Sequence, residues 1–164
     1  MFNARRRFLT GSLRSVRNDL RPPWALVGDA FEDRCNRCND CSVACPNGIL
    51  VVGSGGFPKI DFSRGECSFC GDCAEACEAG ALRMDSISAW QLGATIGAPC
   101  LAALGVECRV CGDACSVAAI RFRPRPGSVA QPHLDAERCN GCGACYAPCP
   151  VNAIGMALKA EVAR

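Results

Sequence analysis

Sixteen cysteines stand in four groups, and their spacing is the first chemistry the sequence offers. Group one is Cys35, Cys38, Cys41 and Cys45, followed by Pro46. Group two is Cys67, Cys70, Cys73 and Cys77, and group three is Cys100, Cys108, Cys111 and Cys115. Group four is Cys139, Cys142, Cys145 and Cys149, followed by Pro150. Three cysteines at intervals of three turn tightly around one corner of a cubane and point backbone N–H groups at sulfur. Zinc more often takes two separated C-x2-C pairs. A tight run of three leaves its cluster one thiolate short, and in runs of the form C-x2-C-x2-C-x3-C-P the fourth cysteine ligates the other cluster. The spacing therefore predicts [4Fe–4S] ligation in crossed sets. Cys35, Cys38 and Cys41 take Cys77, while Cys67, Cys70 and Cys73 take Cys45. Cys100, Cys108 and Cys111 take Cys149, while Cys139, Cys142 and Cys145 take Cys115. In group three the first interval is stretched to seven residues, so a bulging loop has to return Cys100 to its cluster. Four clusters are expected, or three if that group holds none.

A disulfide scaffold is the competing use of so much cysteine, and it needs an oxidising compartment and usually a secretory signal. Arg5-Arg6-Arg7-Phe8-Leu9 looks like the start of a twin-arginine signal. Arg14, Arg17, Asp19, Arg21, Pro22 and Pro23 then break the apolar stretch such a signal requires. A retained, cytoplasmic chain is the expectation. The formal charge of +2 counts every thiol as neutral. Four thiolates around an oxidised core add about −2 per site, which takes four loaded sites to about −6 overall. Nucleic-acid binding is not implied.

The elements that position the cysteines read as short. Gly48–Val52 and Pro58–Phe62 suit a hairpin closed by Gly53-Ser54-Gly55-Gly56. Ala119–Arg123 and Val129–Leu134 repeat it around Arg125-Pro126-Gly127. Further short strands are expected at Ala81–Met84 and Ile154–Leu158, and a short helix around Ile87–Leu92. Ser86–Val106 is uncharged and long enough to raise the question of a membrane span. Gln91, Pro99, its glycines and the ligand Cys100 argue against one. Ile49, Leu82, Ile120 and Ile154 follow the last cysteine of each group at matching distances and are expected to keep water from the clusters. The fold class is α+β: tandem two-cluster ferredoxin-like modules of short hairpins and one-turn helices. Residues 1–29 form a basic amphipathic segment, with Leu9, Leu13, Val16 and Leu20 at helical spacing. The first module is 30–85, a linker 86–99, and the second module 100–159. No Ser–His–acid set, dinucleotide fingerprint or phosphate loop appears, so an enzyme is not expected. His133 is the only histidine, which excludes a Rieske site.

This pattern resembles the bacterial polyferredoxins, down to Cys149-Pro150-Val151-Asn152-Ala153-Ile154. With its length, the Arg5-Arg6-Arg7-Phe8-Leu9 start, a first module beginning near residue 30 and the stretched third group, the chain is similar to the NapF-type ferredoxins of the periplasmic nitrate reductase system. The resemblance implies a cytoplasmic protein that acts on the catalytic nitrate reductase subunit before its export, in assembling the iron–sulfur cluster of that partner. It carries all sixteen cysteines over as ligands. Glu78 and Ser116 stand where groups one and four have proline, which weakens the turn expected there. A general low-potential electron carrier of an anaerobic respiratory chain is the alternative.

Overall fold

The computed structural model describes residues 19–84 and 89–159. Its elements are short because nearly every turn is set by a cysteine group. The helices are α1 (Asp29–Arg34), α2 (Asp40–Val43), α3 (Asp72–Glu75) and α4 (Val110–Asp113). The last three are single turns, each carrying the third cysteine of its group, and isolated helices of that length are unstable in water. The strands are β1 (Leu50–Val52), β2 (Pro58–Ile60), β3 (Leu92–Ile96), β4 (Ile120–Arg125), β5 (Ser128–Leu134) and β6 (Ile154–Leu158).

Both expected hairpins form. β1 pairs antiparallel with β2, Leu50 opposite Ile60. β4 pairs with β5, Ile120 opposite Leu134, and an irregularity between Arg123 and Arg125 carries the chain past Pro124 into the turn. Proline cannot donate to a ladder, so it sits where pairing breaks.

The stretch 86–99 does more than link. Residues 85–88 lie outside the described residues, Ala89–Gln91 are not helical, and Leu92 opens β3. β3 pairs antiparallel with β6 over its whole length, Leu92 opposite Leu158 and Ile96 opposite Ile154. The second module is thus closed by strands at its two ends, around its hairpin. The first module repeats that plan in reduced form. The strand expected at Ala81–Met84 shrinks to one bridge, Leu82 with Ala25. Its partner segment follows Pro22-Pro23 and bends at Trp24, whose φ is 58°, so no longer ladder can grow.

Residues 19–26 pack on the first module. Leu20 and Trp24 lie against its core, and the Leu20 carbonyl accepts from the Ile60 N–H at 2.8 Å. Asp19 accepts from the Ser54 N–H at 2.8 Å. The expected helical face of Leu9, Leu13 and Val16 lies outside the described residues; Leu20 itself is not helical.

Two small cores result. The first is built on Phe31, Ile49, Leu50, Ile60, Phe62 and Leu82, and it reaches into β3 through Leu92. The second is built on Ala94, Ala119, Ile120 and Ile154 with cysteines. Tyr146 and Met156 pack against both. Among the described residues no helix is long and apolar enough to cross a membrane.

Candidate iron–sulfur sites

The tight cysteine runs rest on a backbone device that recurs. In groups one, two and four the residues on either side of the second cysteine are left-handed. They are Arg37 and Asn39 (φ 64° and 74°), Phe69 and Gly71 (57° and 94°), and Gly141 and Gly143 (76° and 82°). Two such residues reverse the chain within a few positions, a conformation that costs an L side chain about 1–2 kcal/mol. Group three lacks the device: Arg109 follows Cys108 at φ −130°, and the long Cys100–Cys108 interval takes the place of the sharp turn.

A second device follows the last cysteine of every group. The residue three positions on is left-handed: Gly48, Gly80, Ala118 and Asn152, at φ 60°, 65°, 50° and 50°. Its N–H donates to the carbonyl of that cysteine at 3.0, 3.0, 2.9 and 3.3 Å respectively. The turn forms alike after Cys77 and Cys115, which Glu78 and Ser116 follow, so the proline is not what makes it. Beyond the turn, backbone donors reach sulfur. Leu82 donates to Cys77 Sγ at 3.4 Å, Ala119 to Cys115 Sγ at 3.2 Å and Ala153 to Cys149 Sγ at 3.2 Å. Ala94 in β3 donates to Cys139 Sγ at 3.5 Å and Phe69 to Cys67 Sγ at 3.4 Å. N–H groups aimed at thiolate sulfur stabilise its negative charge.

The thiols gather across groups. One cavity is lined by Cys45, Cys67, Cys70 and Cys73 together with Ile49 and Leu50. Another is lined by Cys115, Cys139, Cys142 and Cys145 with Ala94 and Ile120. Cys41 lies within electrostatic reach of Cys77, Cys35 and Cys38, and Cys111 within that of Cys100 and Cys108. All sixteen are free thiols. Ile49, Leu82, Ile120 and Ile154 are buried beside them, as their spacing predicted.

Burial pushes the inner thiols upward, Cys67 and Cys111 to about 11 and Cys73 and Cys145 to about 12. Cys41 and Cys142 rise for the same reason; Cys38 rises chiefly through its hydrogen bond to Asp40. Without a positive centre Cys67, Cys73, Cys111 and Cys145 stay neutral. Loading a cluster therefore releases protons and couples to the stability of the fold.

The donor set fits a cubane better than one ion. Among the described residues, no three His, Cys, Asp or Glu converge on a point one metal ion could fill. Zinc holds thiolates at about 2.3 Å, crowding them together, whereas these thiols line two cavities without such convergence. Ser42 Oγ is buried with no hydrogen-bond partner. It lies beside Cys41, whose thiolate it would stabilise. The exposed His133 stands opposite Arg121 in the hairpin, and Tyr146 packs on Phe62 with ring centroids 6.3 Å apart.

Comparison with known proteins agrees with this geometry. The 4Fe-4S dicluster domain family matches twice, over residues 34–81 and 106–153; Cys100 lies just outside the second match. The ferredoxin-type protein NapF of Escherichia coli strain K12 is 48% identical over 151 residues, covering 92% of each chain. NapF of Haemophilus influenzae is 45% identical over 162 residues, covering 93% of this chain and 92% of that one. The methylamine utilization ferredoxin-type protein MauM of Methylophilus methylotrophus is 30% identical over 157 residues, covering 85% and 70%. Two dicluster domains and sixteen cysteines accommodate four [4Fe–4S] clusters. The chain belongs to the NapF family of ferredoxin-type proteins, iron–sulfur electron-transfer proteins built here from two tandem dicluster domains.

Proposed function

We propose that this protein is a cytoplasmic electron-transfer protein that supports maturation of the catalytic subunit of periplasmic nitrate reductase, by cluster assembly before export. All sixteen cysteines are its ligands, in four crossed sets. An outer site in the first module uses Cys35, Cys38, Cys41 and Cys77, and an inner site uses Cys45, Cys67, Cys70 and Cys73. In the second module the inner site uses Cys115, Cys139, Cys142 and Cys145, and the outer site Cys100, Cys108, Cys111 and Cys149. The observation that carries the inner ligand sets is the pair of cavities in which the fourth cysteine of one group joins three of the next; the outer sets follow from them by the crossed pattern. The nitrate reductase partner is supported by the likeness to NapF over nearly the whole chain.

When bound, each cluster supplies one-electron chemistry near thiolate sulfur. The chain's own residues set the conditions. Backbone N–H groups of Leu82, Ala119 and Ala153 stabilise added negative charge at the fourth cysteines. Ile49, Leu82, Ile120 and Ile154 exclude water, which lowers the potential because the more charged, reduced form loses most solvation. Cys38 and Cys70 are exposed, giving each site of the first module an edge toward a partner. Nothing in this arrangement needs a substrate pocket or an acid–base pair.

The test is deletion of the gene followed by assay of nitrate reductase activity and of iron in the purified catalytic subunit. Maturation predicts a subunit short of iron and activity, restored by the intact chain and not by one lacking an inner-site cysteine. A fully loaded, fully active subunit in the deletion strain overturns the maturation reading.

A further inference from the structure

We propose that the boundary between the modules is itself an electron relay, so that one chain conducts from its first outer site to its last. The relay runs between the inner sites through the contact of Cys67 with Cys142, and it rests on the ligand sets proposed above. The Cys67 N–H donates to the Cys142 carbonyl at 2.8 Å. A residue assigned to one inner site is thus hydrogen-bonded directly to a residue assigned to the other. The sulfurs follow the backbone, since the Cys67 thiol lies within electrostatic reach of Cys142 as well as of Cys45 and Cys70. Within each module the same kind of proximity links inner to outer site, Cys73 to Cys41 and Cys145 to Cys111. The order along the molecule is outer, inner, inner, outer.

The contact is flanked by aromatic side chains. Phe62 of the first module is buried and meets Trp90 edge-on at 5.9 Å and Tyr146 at 6.3 Å. Trp90 meets Phe69 at 5.6 Å and donates through Nε1 to the Asn140 carbonyl at 3.1 Å. The sequence bears the mark of this packing. The left-handed positions around the second cysteine are filled by Arg37 and Asn39 in group one and by Phe69 in group two, so the conformation alone does not demand glycine. Around Cys142 both are glycine. A Cβ on Gly143 would run into the Phe62 ring, and one on Gly141 would lie 2.6 Å from the Leu92 carbonyl oxygen and 2.8 Å from Trp90 Nε1. At Gly143 the turn that carries Cys142 is stripped of a side chain where Phe62 of the first module presses on it, and at Gly141 that space is taken by Trp90 and Leu92. Close approach matters for electrons because tunnelling decays exponentially with the gap.

With both inner sites loaded, each crossing would move one electron: the donor site would be oxidised and the acceptor site reduced, with no bond broken and no proton transferred. A one-electron donor protein feeds one end, and an oxidised protein partner drains the other.

The test uses the whole, anaerobically loaded chain, wild type beside Trp90→Ala and the milder Phe62→Leu. Reduction with dithionite should give a wild-type electron paramagnetic resonance spectrum that requires spin coupling between the modules. The Cys67 amide should exchange with deuterated water at least tenfold more slowly than in the variants, which keep their iron and sulfide but show coupling within modules only. A wild-type spectrum equal to two independent modules, with full iron, overturns the relay alone. Rapid exchange of the Cys67 amide in the wild type overturns the contact and the relay together. Iron too low to fill both inner sites overturns the ligand sets and the relay with them. The wild-type measurements decide the matter even if a variant fails to fold.

Discussion

Gln131 in β5 donates its side-chain amide to the carbonyl of Ala102 at 2.7 Å. This bond ties the stretched loop of the third cysteine group to the hairpin of its own module. Ala102 is buried, and its carbonyl also accepts from the Gly105 N–H at 3.2 Å, so removing the amide takes away one of two donors. A hydrogen bond has a net worth of about 1 kcal/mol, and here the loss falls on the loop that returns Cys100. Gln131→Ala should therefore lose the third group's cluster selectively, about a quarter of the iron of a four-cluster chain, with the hairpin intact. Iron and sulfide analysis of anaerobically purified protein checks it. Full iron in the variant would show that the loop holds Cys100 without this tie.

Ser42 Oγ offers a cleaner electronic test, because its hydroxyl is buried without a partner beside a thiol that becomes a thiolate when the site is loaded. A hydroxyl donating to that sulfur stabilises the reduced, more negative state more than the oxidised one. Ser42→Ala should leave iron content unchanged and lower one potential. A hydrogen bond has a net worth of about 1 kcal/mol, which for one electron corresponds to a drop of roughly 40 mV. Redox titration followed by electron paramagnetic resonance measures it. No change in any potential would mean that the hydroxyl does not point at the cluster.

The recurring left-handed residue after each group makes a paired prediction. Gly48 has φ +60° with open space where a Cβ would stand, so Gly48→Ala isolates the conformational cost. That cost is about 1 kcal/mol or slightly more. Ala118 occupies the matching position at φ 50° and already bears it. Ala118→Gly relieves the strain against a glycine entropy cost of about 0.5–1 kcal/mol, leaving a gain of about 0.5 kcal/mol. Thermal loss of visible cluster absorbance should come earlier in the first variant and slightly later in the second. Equal shifts in both would show that the turn is not what limits stability.

These particulars show what could be read from the sequence and what could not. The cysteine groups, both hairpins and the buried Ile49, Leu82, Ile120 and Ile154 are local features, written in short stretches of neighbouring residues. The pairing of β3 with β6 joins Leu92 to Leu158, a distant partner for a strand whose Gly93 lowers its strand propensity. Its role was therefore hidden behind the appearance of a linker. Phe62, Trp90 and Tyr146 meet only once the modules are docked, and no period in the sequence announces them. The left-handed positions were half legible. Gly141 and Gly143 suggest it, but Arg37, Asn39 and Phe69 adopt the same φ against their preference, because bonds made elsewhere fix the turn.

Crossed ligation is the prediction on which the rest depends, and it separates two cysteines that the sequence places alike. Cys45 and Cys77 each end a group and each precede the same turn. Cys45 lines the cavity with Cys67, Cys70 and Cys73, whereas Cys77 lies within electrostatic reach of Cys41. Cys45→Ser should therefore loosen the backbone around residues 67–73 and leave 35–41 protected. Cys77→Ser should do the reverse. Both variants should lose up to four irons, so iron analysis alone does not distinguish crossed from uncrossed sets. Hydrogen exchange read peptide by peptide does. The location of the loosened segment is decisive because an apo site loses the bonds that hold its cysteine run in a strained, left-handed turn. If Cys45→Ser loosened 35–41 instead, each group would close on its own cluster, and the inner-site assignments of Cys67 and Cys142 would have to be redrawn.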